Sequence, residues 1–214
     1  MHRAVIFDMD GVLVDSEPLH YESEKNVLSS IGLAFPRDIH KKFIGYSNEY
    51  KFWRDLLNEL GVSSNIEDLM NKKMDYFRNN LYKISLIKPA YNLLKKLSTK
   101  GIQLALASSS SRELINEVLN KFDLFKYFSE IVSGDDVEHG KPAPDIFLKA
   151  ADKLGMPPCD CIVIEDSLNG ILAGHAAGMI VIAVPNEYTK TFDFSQANYL
   201  LDSLNDFYGL GLIV

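Results

Sequence analysis

Cysteine is nearly absent: this chain of 214 residues carries two, Cys159 and Cys161. They stand two positions apart in PPCDC, which seldom suits a disulfide, and two ligands do not make a zinc site. Both are expected to be reduced, in a loop and a strand start. No apolar run approaches the ~18 residues that span a membrane. Met1-His2-Arg3 leads straight into an apolar segment, so no signal peptide is expected and the cytoplasm is the default compartment. Positive charge is also short. Against 22 Lys and Arg stand 29 Asp and Glu, a formal net charge of -7. That balance argues against non-specific binding to nucleic acid or to an anionic membrane. An acidic protein that acts on anions must bring positive charge locally, by lysine, metal or helix N-termini. Internal repeats and low-complexity tracts are missing as well. The length allows one sizeable core, or one core plus a small insert.

What is present is organised around Ala4 to Pro18, AVIFDMDGVLVDSEP. Ala4 to Asp8 reads as a short buried strand, with β-branched Val5 and Ile6 and aromatic Phe7. It ends on an acid, a second acid follows at Asp10, and Gly11 permits a sharp turn. Carboxylates at the end of a buried strand are costly unless paired or metal-bound, and two together repel. A compensating cation or a shared proton is needed.

From about Ser16 to Tyr82 helical patterns recur without a convincing strand: Leu19–Ile31, Asp38–Ile44, Asn48–Leu60 and Ile66–Tyr82. Phe52, Trp53, Leu56, Leu57 and Leu60 share one apolar face. From Leu86 the pattern changes to alternating helices and strands. Helices are expected over Pro89–Thr99, Arg112–Phe122, Asp145–Leu154 and Ser167–Ala177. Strands are expected over Ile102–Ala107, Glu130–Ser133, Cys161–Ile164, Ile180–Val184 and Asn198–Leu201. The strands are apolar throughout, the mark of a parallel sheet covered on both faces. The expected fold is therefore α/β, a doubly wound, Rossmann-like parallel sheet, with an all-α insert. Core residues would be 1–15 and 84–214, and the helical block 16–83. The apolar tail from Leu204 to Val214 suggests no function.

Ligands in such sheets sit at the carboxyl ends of the strands, and the polar residues of interest lie there. Asp8 and Asp10 follow the first strand. Ser108 opens a run of four serines before a helix, where a hydroxyl and the next N–H groups, those of Ser109 onward, can receive an anion. Lys141 lies in HGKPAPDIF, stiffened by Pro142 and Pro144. Glu165 and Asp166 follow CIVI. Three or four carboxylates with one lysine become tolerable around a hard divalent cation, and all-oxygen ligands favour Mg²⁺. A phosphate could then be held by the metal, Lys141 and Ser108, with Asp8 poised to attack phosphorus and Asp10 to move protons.

These motifs resemble those of the haloacid dehalogenase superfamily of Mg²⁺-dependent phosphotransferases: DMDGVLVDSEP, Ser108, Lys141 in GKPAPDIF, and IEDS at Ile164 to Ser167, all in order. The resemblance implies that Asp8 is an aspartyl-phosphate nucleophile and Asp10 an acid/base. It also implies Asp8, the Asp10 carbonyl and Asp166 as Mg²⁺ ligands with Glu165 close by, and a four-helix cap in the insert. The subgroup resembled is that of β-phosphoglucomutase and the small sugar-phosphate phosphatases.

In the mutase a K-G-x-S-R stretch of the cap supplies two cations. Here the stretch is Ile44-Gly45-Tyr46-Ser47-Asn48, with both replaced; Lys41, Lys42 and Lys51 are nearby. His20 after DSEP resembles the mutase hinge histidine. Gly45, Asn48 and His20 are thus the cap candidates. The expected activity is hydrolysis of small phosphorylated metabolites, sugar or polyol phosphates; a β-phosphoglucomutase-like mutase is the alternative. A non-catalytic phosphoacceptor of receiver type is disfavoured by length, cap and the DxD pattern. Small metabolites are the expected partners, with neither nucleic acid nor membrane, and the chain is expected to be a monomer or weak oligomer.

Overall fold

The computed structural model describes residues 2–46 and 48–213. β1 (Ala4–Phe7) is buried at all four positions and lies mid-sheet. It pairs in parallel with β4 (Gln103–Ala107) on one side and β6 (Cys161–Glu165) on the other. β5 (Glu130–Val132) continues beyond β4, and β7 (Ile180–Ala183) and β8 (Tyr199–Leu200) continue beyond β6, all in parallel. The order is β5-β4-β1-β6-β7-β8. The chain winds outward from β1 in one direction and then crosses to wind in the other. The carboxyl ends of β1, β4 and β6 therefore meet at the switch point, where an open α/β sheet leaves a crevice.

Side chains alternate across each strand. Val5, Phe7, Leu104 and Leu106 join a cluster with Leu93, Leu94 and Leu97 of α5 (Lys88–Thr99) and Leu114, Ile115 and Val118 of α6 (Arg112–Lys121). Ala4, Ile6, Ala105 and Val163 face the other layer. There Ile146, Phe147 and Ala150 of α7 (Asp145–Lys153) and Ile171 and Ala173 of α8 (Leu168–Ala176) cover them. Burial on both faces explains the unbroken apolar runs. The apolar tail is structural: Leu204, Phe207 and Ile213 belong to the α5 and α6 layer.

Among the described residues, four α-helices lie between the first strand and α5: α1 (Glu17–Ser30), α2 (Arg37–Lys41), α3 (Glu49–Glu59) and α4 (Ile66–Asn79). Their apolar faces make a separate cluster around Trp53, Leu56, Leu69, Leu28 and Phe35. α2 stops short of the expected Ile44, since a turn follows it to Gly45, whose φ is +83°. α4 ends at Asn79, and Leu81–Lys83 form a 3₁₀ turn rather than more α-helix. Entry to and exit from the insert are tied by a two-stranded antiparallel ribbon absent from the expected elements. It pairs β2 (Val14–Asp15) with β3 (Ser85–Leu86). No helix among the described residues is long and apolar enough to cross a membrane.

Candidate active site

Asp8 continues the β1 ladder, its N–H donating to Ile164 O at 3.0 Å, and its carboxylate is buried at the carboxyl end of this central strand. Lys141, on the segment before α7, donates to Asp8 Oδ1 at 2.5 Å, Glu165 Oε1 at 2.7 Å and Ala107 O at 3.1 Å. The other oxygen of Glu165 accepts from the N–H groups of Asp166 and Ser167 and from the Ser167 hydroxyl, each at 2.9 Å. Asp166 Oδ2 accepts from Asn186 Nδ2 at 2.7 Å. Oxygens of Asp8, Glu165 and Asp166 lie within 4.8 Å of one another, and all three residues are buried.

Three buried carboxylates around one ammonium leave surplus negative charge. Burial, opposed by Lys141 and aided by the charges of Glu165 and Asp10, pushes Asp8 up to about 8. Burial and the charges of Glu165 and Asp8 push Asp166 well up. Lys141 is pushed up despite its burial, by Asp8 and Glu165. The donors are hard oxygens and the deficit is positive charge, so the residues fit a hard divalent cation. Glu165 already serves Lys141 and three donors of its own turn, which leaves Asp8 and Asp166 as the candidates for direct ligation.

Asp10 sits apart from this trio. Its carboxylate accepts from Ser16 Oγ at 2.6 Å and Ser110 Oγ at 3.0 Å, and His20 Nε2 lies 3.8 Å away. Burial acts to raise Asp10, but His20 and the two hydroxyls outweigh it and hold the carboxyl below its ordinary range. His20, which burial would lower, is pushed up by the Asp10 contact.

The serine run divides its labour. Ser111 caps α6, accepting from Leu114 N, and Ser110 serves Asp10. Ser108 Oγ accepts from the Ser110 N–H at 3.1 Å, and all four serines line the cavity. Gly134 makes room for them, because a Cβ there would lie 2.4 Å from Ser109 O. Two other glycines do the same for the acids. A Cβ on Gly11 (φ +77°) would meet Asp166 Oδ2 at 2.1 Å, and one on Gly170 would meet Glu165 Oε1 at 1.7 Å.

A cavity of about 510 Å³ joins these residues to the helical insert, and His20, Gly45 and Asn48 all line it. Gly45 O accepts from Asn169 Nδ2 of α8 at 2.7 Å, a direct bond between insert and sheet layer. The Asn48 side chain is spent on capping α3, accepting from Lys51 N at 2.8 Å. Ser47 lies outside the described residues. Of the three lysines nearby in sequence, Lys42 pairs with Glu59 in solvent, Lys41 is exposed and Lys51 stacks over Tyr46. Among the described residues of the insert, the lysine that lines the cavity is Lys73, which sequence reasoning missed. Its signal was available: Lys73 stands four residues after Leu69 and four before Phe77, on the buried stripe of α4. Ser110 and Asn186 were also missed, and only the folded chain brings them to their acids.

Residues 5–184 match the model of the haloacid dehalogenase-like hydrolases. The chain is 36% identical over 181 residues to a phosphorylated carbohydrates phosphatase of Thermotoga maritima, covering 83% of this chain and 82% of that one. It is 32% identical over 209 residues to hexitol phosphatase B of Escherichia coli O157:H7, covering 95% and 93%. A crystal structure of β-phosphoglucomutase from Clostridium difficile matches with a TM-score of 0.85 at 26% identity, over 99% of this chain and 97% of that one. With most of its length matched by the family model, and with relatives above 30% identity along nearly all of it, the chain belongs to the haloacid dehalogenase-like hydrolase family.

Proposed function

We propose that this protein is a Mg²⁺-dependent phosphatase of small phosphorylated metabolites, sugar or polyol phosphates, acting through a phosphorylated Asp8. The observation that carries the reading is a buried carboxylate at the switch point, 2.5 Å from Lys141, with Asp10 separately held two residues on. The hexitol and carbohydrate phosphatases among its relatives support the substrate class. The domain reading accompanies it: residues 1–15 and 84–214 form the catalytic core and residues 16–83 the cap.

In the first half-reaction an Asp8 oxygen bonds phosphorus, the ester P–O bond breaks, and Asp10 gives a proton to the leaving oxygen. In the second, Asp10 takes a proton from water as that water bonds phosphorus, the bond to Asp8 breaks, and phosphate leaves. Two hydroxyl donors and the nearby His20 favour the ionised form of the Asp10 carboxyl, the form the second half needs. The first half needs it protonated, so the carboxyl changes partners between the halves. Lys141, Ser108 and Ser109 bind the phosphoryl oxygens. A Mg²⁺ held by Asp8, the Asp10 carbonyl and Asp166, with Glu165 behind them, would supply the remaining charge neutralisation.

The test is phosphate release from a panel of sugar and polyol phosphates, with and without Mg²⁺, for the wild type and Asp8→Asn. Magnesium-dependent release that the variant loses is expected; no release across the panel would sink the reading. The second reading, a phosphosugar mutase, draws support from Lys73 in the cavity. It predicts conversion of glucose 1-phosphate to glucose 6-phosphate under a bisphosphate primer with little free phosphate.

A further inference from the structure

The insert side of the cavity holds a charged cluster that the two half-reactions leave unused. Lys73 Nζ lies 3.2 Å from Glu24 Oε1 and 3.1 Å from Glu49 Oε1, and 5.3 Å from the centre of the Phe52 ring. His40 Nε2 lies 3.1 Å from Glu17 Oε1 and 3.5 Å from Glu24 Oε2. Glu24, Lys73 and His40 are buried, and all five residues line the same cavity as Asp8. Glu24 Oε2 is buried with no hydrogen-bond donor. Glu49, with 30% of its side chain exposed, is the member most open to the cavity.

We infer that this cluster selects the leaving group: Glu24, Lys73 and Glu49 admit uncharged polyhydroxy alcohols esterified to phosphate and exclude those bearing a second anionic group. The inference rests on the phosphatase reading and narrows it. Its physical basis is a count of charges and of hydrogen-bonding capacity. Three carboxylates stand against one ammonium, which two of them already share. To grip a second phosphate or a carboxylate, Lys73 would have to leave a buried glutamate uncompensated, a costly exchange. An incoming anion would also face the remaining acids at close range. A hydroxyl meets none of these obstacles. It donates to a carboxylate and accepts from an ammonium, and Glu49, the most exposed carboxylate of the cluster, is the acceptor within its reach. A mutase would need a second phosphate grip here, so the cluster also explains how a chain with a cap lysine can be a hydrolase.

The test compares kcat/KM for matched pairs of esters with Mg²⁺ present: a hexitol or hexose monophosphate against a hexose bisphosphate, and glycerol phosphate against phosphoglycerate. The wild type should prefer the uncharged member by more than about tenfold. Glu49→Gln keeps an oxygen for Lys73 and for Trp53 Nε1, so it should fold, melting close to the wild type. It should shrink the preference severalfold, by lowering KM for the doubly anionic esters and raising it for the polyol esters. A purely structural role for Glu49 would move both members of a pair together. Calorimetric titration of Asp8→Asn with the same pairs, Mg²⁺ present, reads selection without turnover. If that variant binds uncharged esters preferentially while the wild type releases no phosphate, the phosphatase reading fails and the selection stands. Equal binding within the pairs, or a preference that Glu49→Gln leaves unchanged, overturns the inference.

Discussion

Lys141 is the residue on which the floor of the cavity depends, because two of its bonds go to buried carboxylates. Lys141→Met removes the ammonium, whose Nζ lies 4.8 Å from the centre of the Phe147 ring, and retains much of the apolar stem. Asp8 and Glu165 would then be buried without their partner, a change that typically costs about 3–5 kcal/mol. Catalysis should fall by ~10²–10³ or more through the lost charge stabilisation. Denaturant melts and steady-state phosphate release read the two effects separately, and a variant as stable as the wild type would contradict the placement. Such floor residues were legible in the sequence because each stands beside a strand end: Asp8 after β1, Ser108 after β4, Glu165 closing β6 and Asp166 beyond it. Ser110 and Asn186 were not, because their partners come from distant positions, whereas Lys73 stood on the buried stripe of α4 and was overlooked. Ser110 meets an acid 100 residues away, and Asn186 one 20 residues away.

At the scale of elements, turns place the acids, and glycine makes the tightest turn possible. Gly11 occupies the left-handed region at φ +77°, and any Cβ would strike Asp166 Oδ2 and Asn186 Nδ2, the latter at 2.8 Å. Gly11→Ala should cost roughly 1–3 kcal/mol in backbone strain and push Asp166 out of place. The expected signature is weakened Mg²⁺ affinity, read as the metal concentration for half-maximal activity, beyond any fall in melting temperature. Normal metal dependence would show that the turn tolerates the methyl. The 3₁₀ turn after β5 is fixed differently. Asp136 accepts from the Ser133 N–H at 2.7 Å, its hydroxyl at 2.8 Å, and Arg112. Burial acts to raise this carboxyl, but those donors outweigh it and hold it below the ordinary 3.8. A pKa lower in the folded than in the unfolded chain contributes stability above the unfolded value, lost as pH falls through the folded one. Asp136→Asn should therefore destabilise by about 1–3 kcal/mol near neutral pH. Its deficit against the wild type should shrink once pH drops below about 3.8. Urea titrations over that range decide it, and a deficit independent of pH would show that Asp136 acts without its charge. Helices and buried strands were readable from period and stop signals to within a few residues. The β2–β3 ribbon was not, because two-residue strands carry no period, and their pairing joins positions some 70 residues apart.

For the whole molecule, the site and the stability of the fold are one problem. The sheet delivers three carboxylates to a buried switch point with Lys141 as the cation facing two of them, so the folded state carries repulsion that the unfolded chain does not. A divalent cation that binds the folded chain alone stabilises it by RT ln(1 + [L]/Kd), about 2.7 kcal/mol at a hundred times Kd. At this chain length each kcal/mol moves the melting temperature by about 2–4 °C. Mg²⁺ added to chelator-treated protein should therefore raise the melting temperature by roughly 5–10 °C, and K⁺ at equal ionic strength should not. Asp8→Asn separates local charge from general salt effects. It removes one of the repelling carboxylates and keeps an oxygen for Lys141. The metal-free variant should therefore melt above the metal-free wild type while gaining less from Mg²⁺. The two effects share one cause and must appear together. A variant that melts higher and still gains the full Mg²⁺ increment would place the cation elsewhere. One that loses the increment without melting higher would mean that Lys141 alone balances the acids in the empty site.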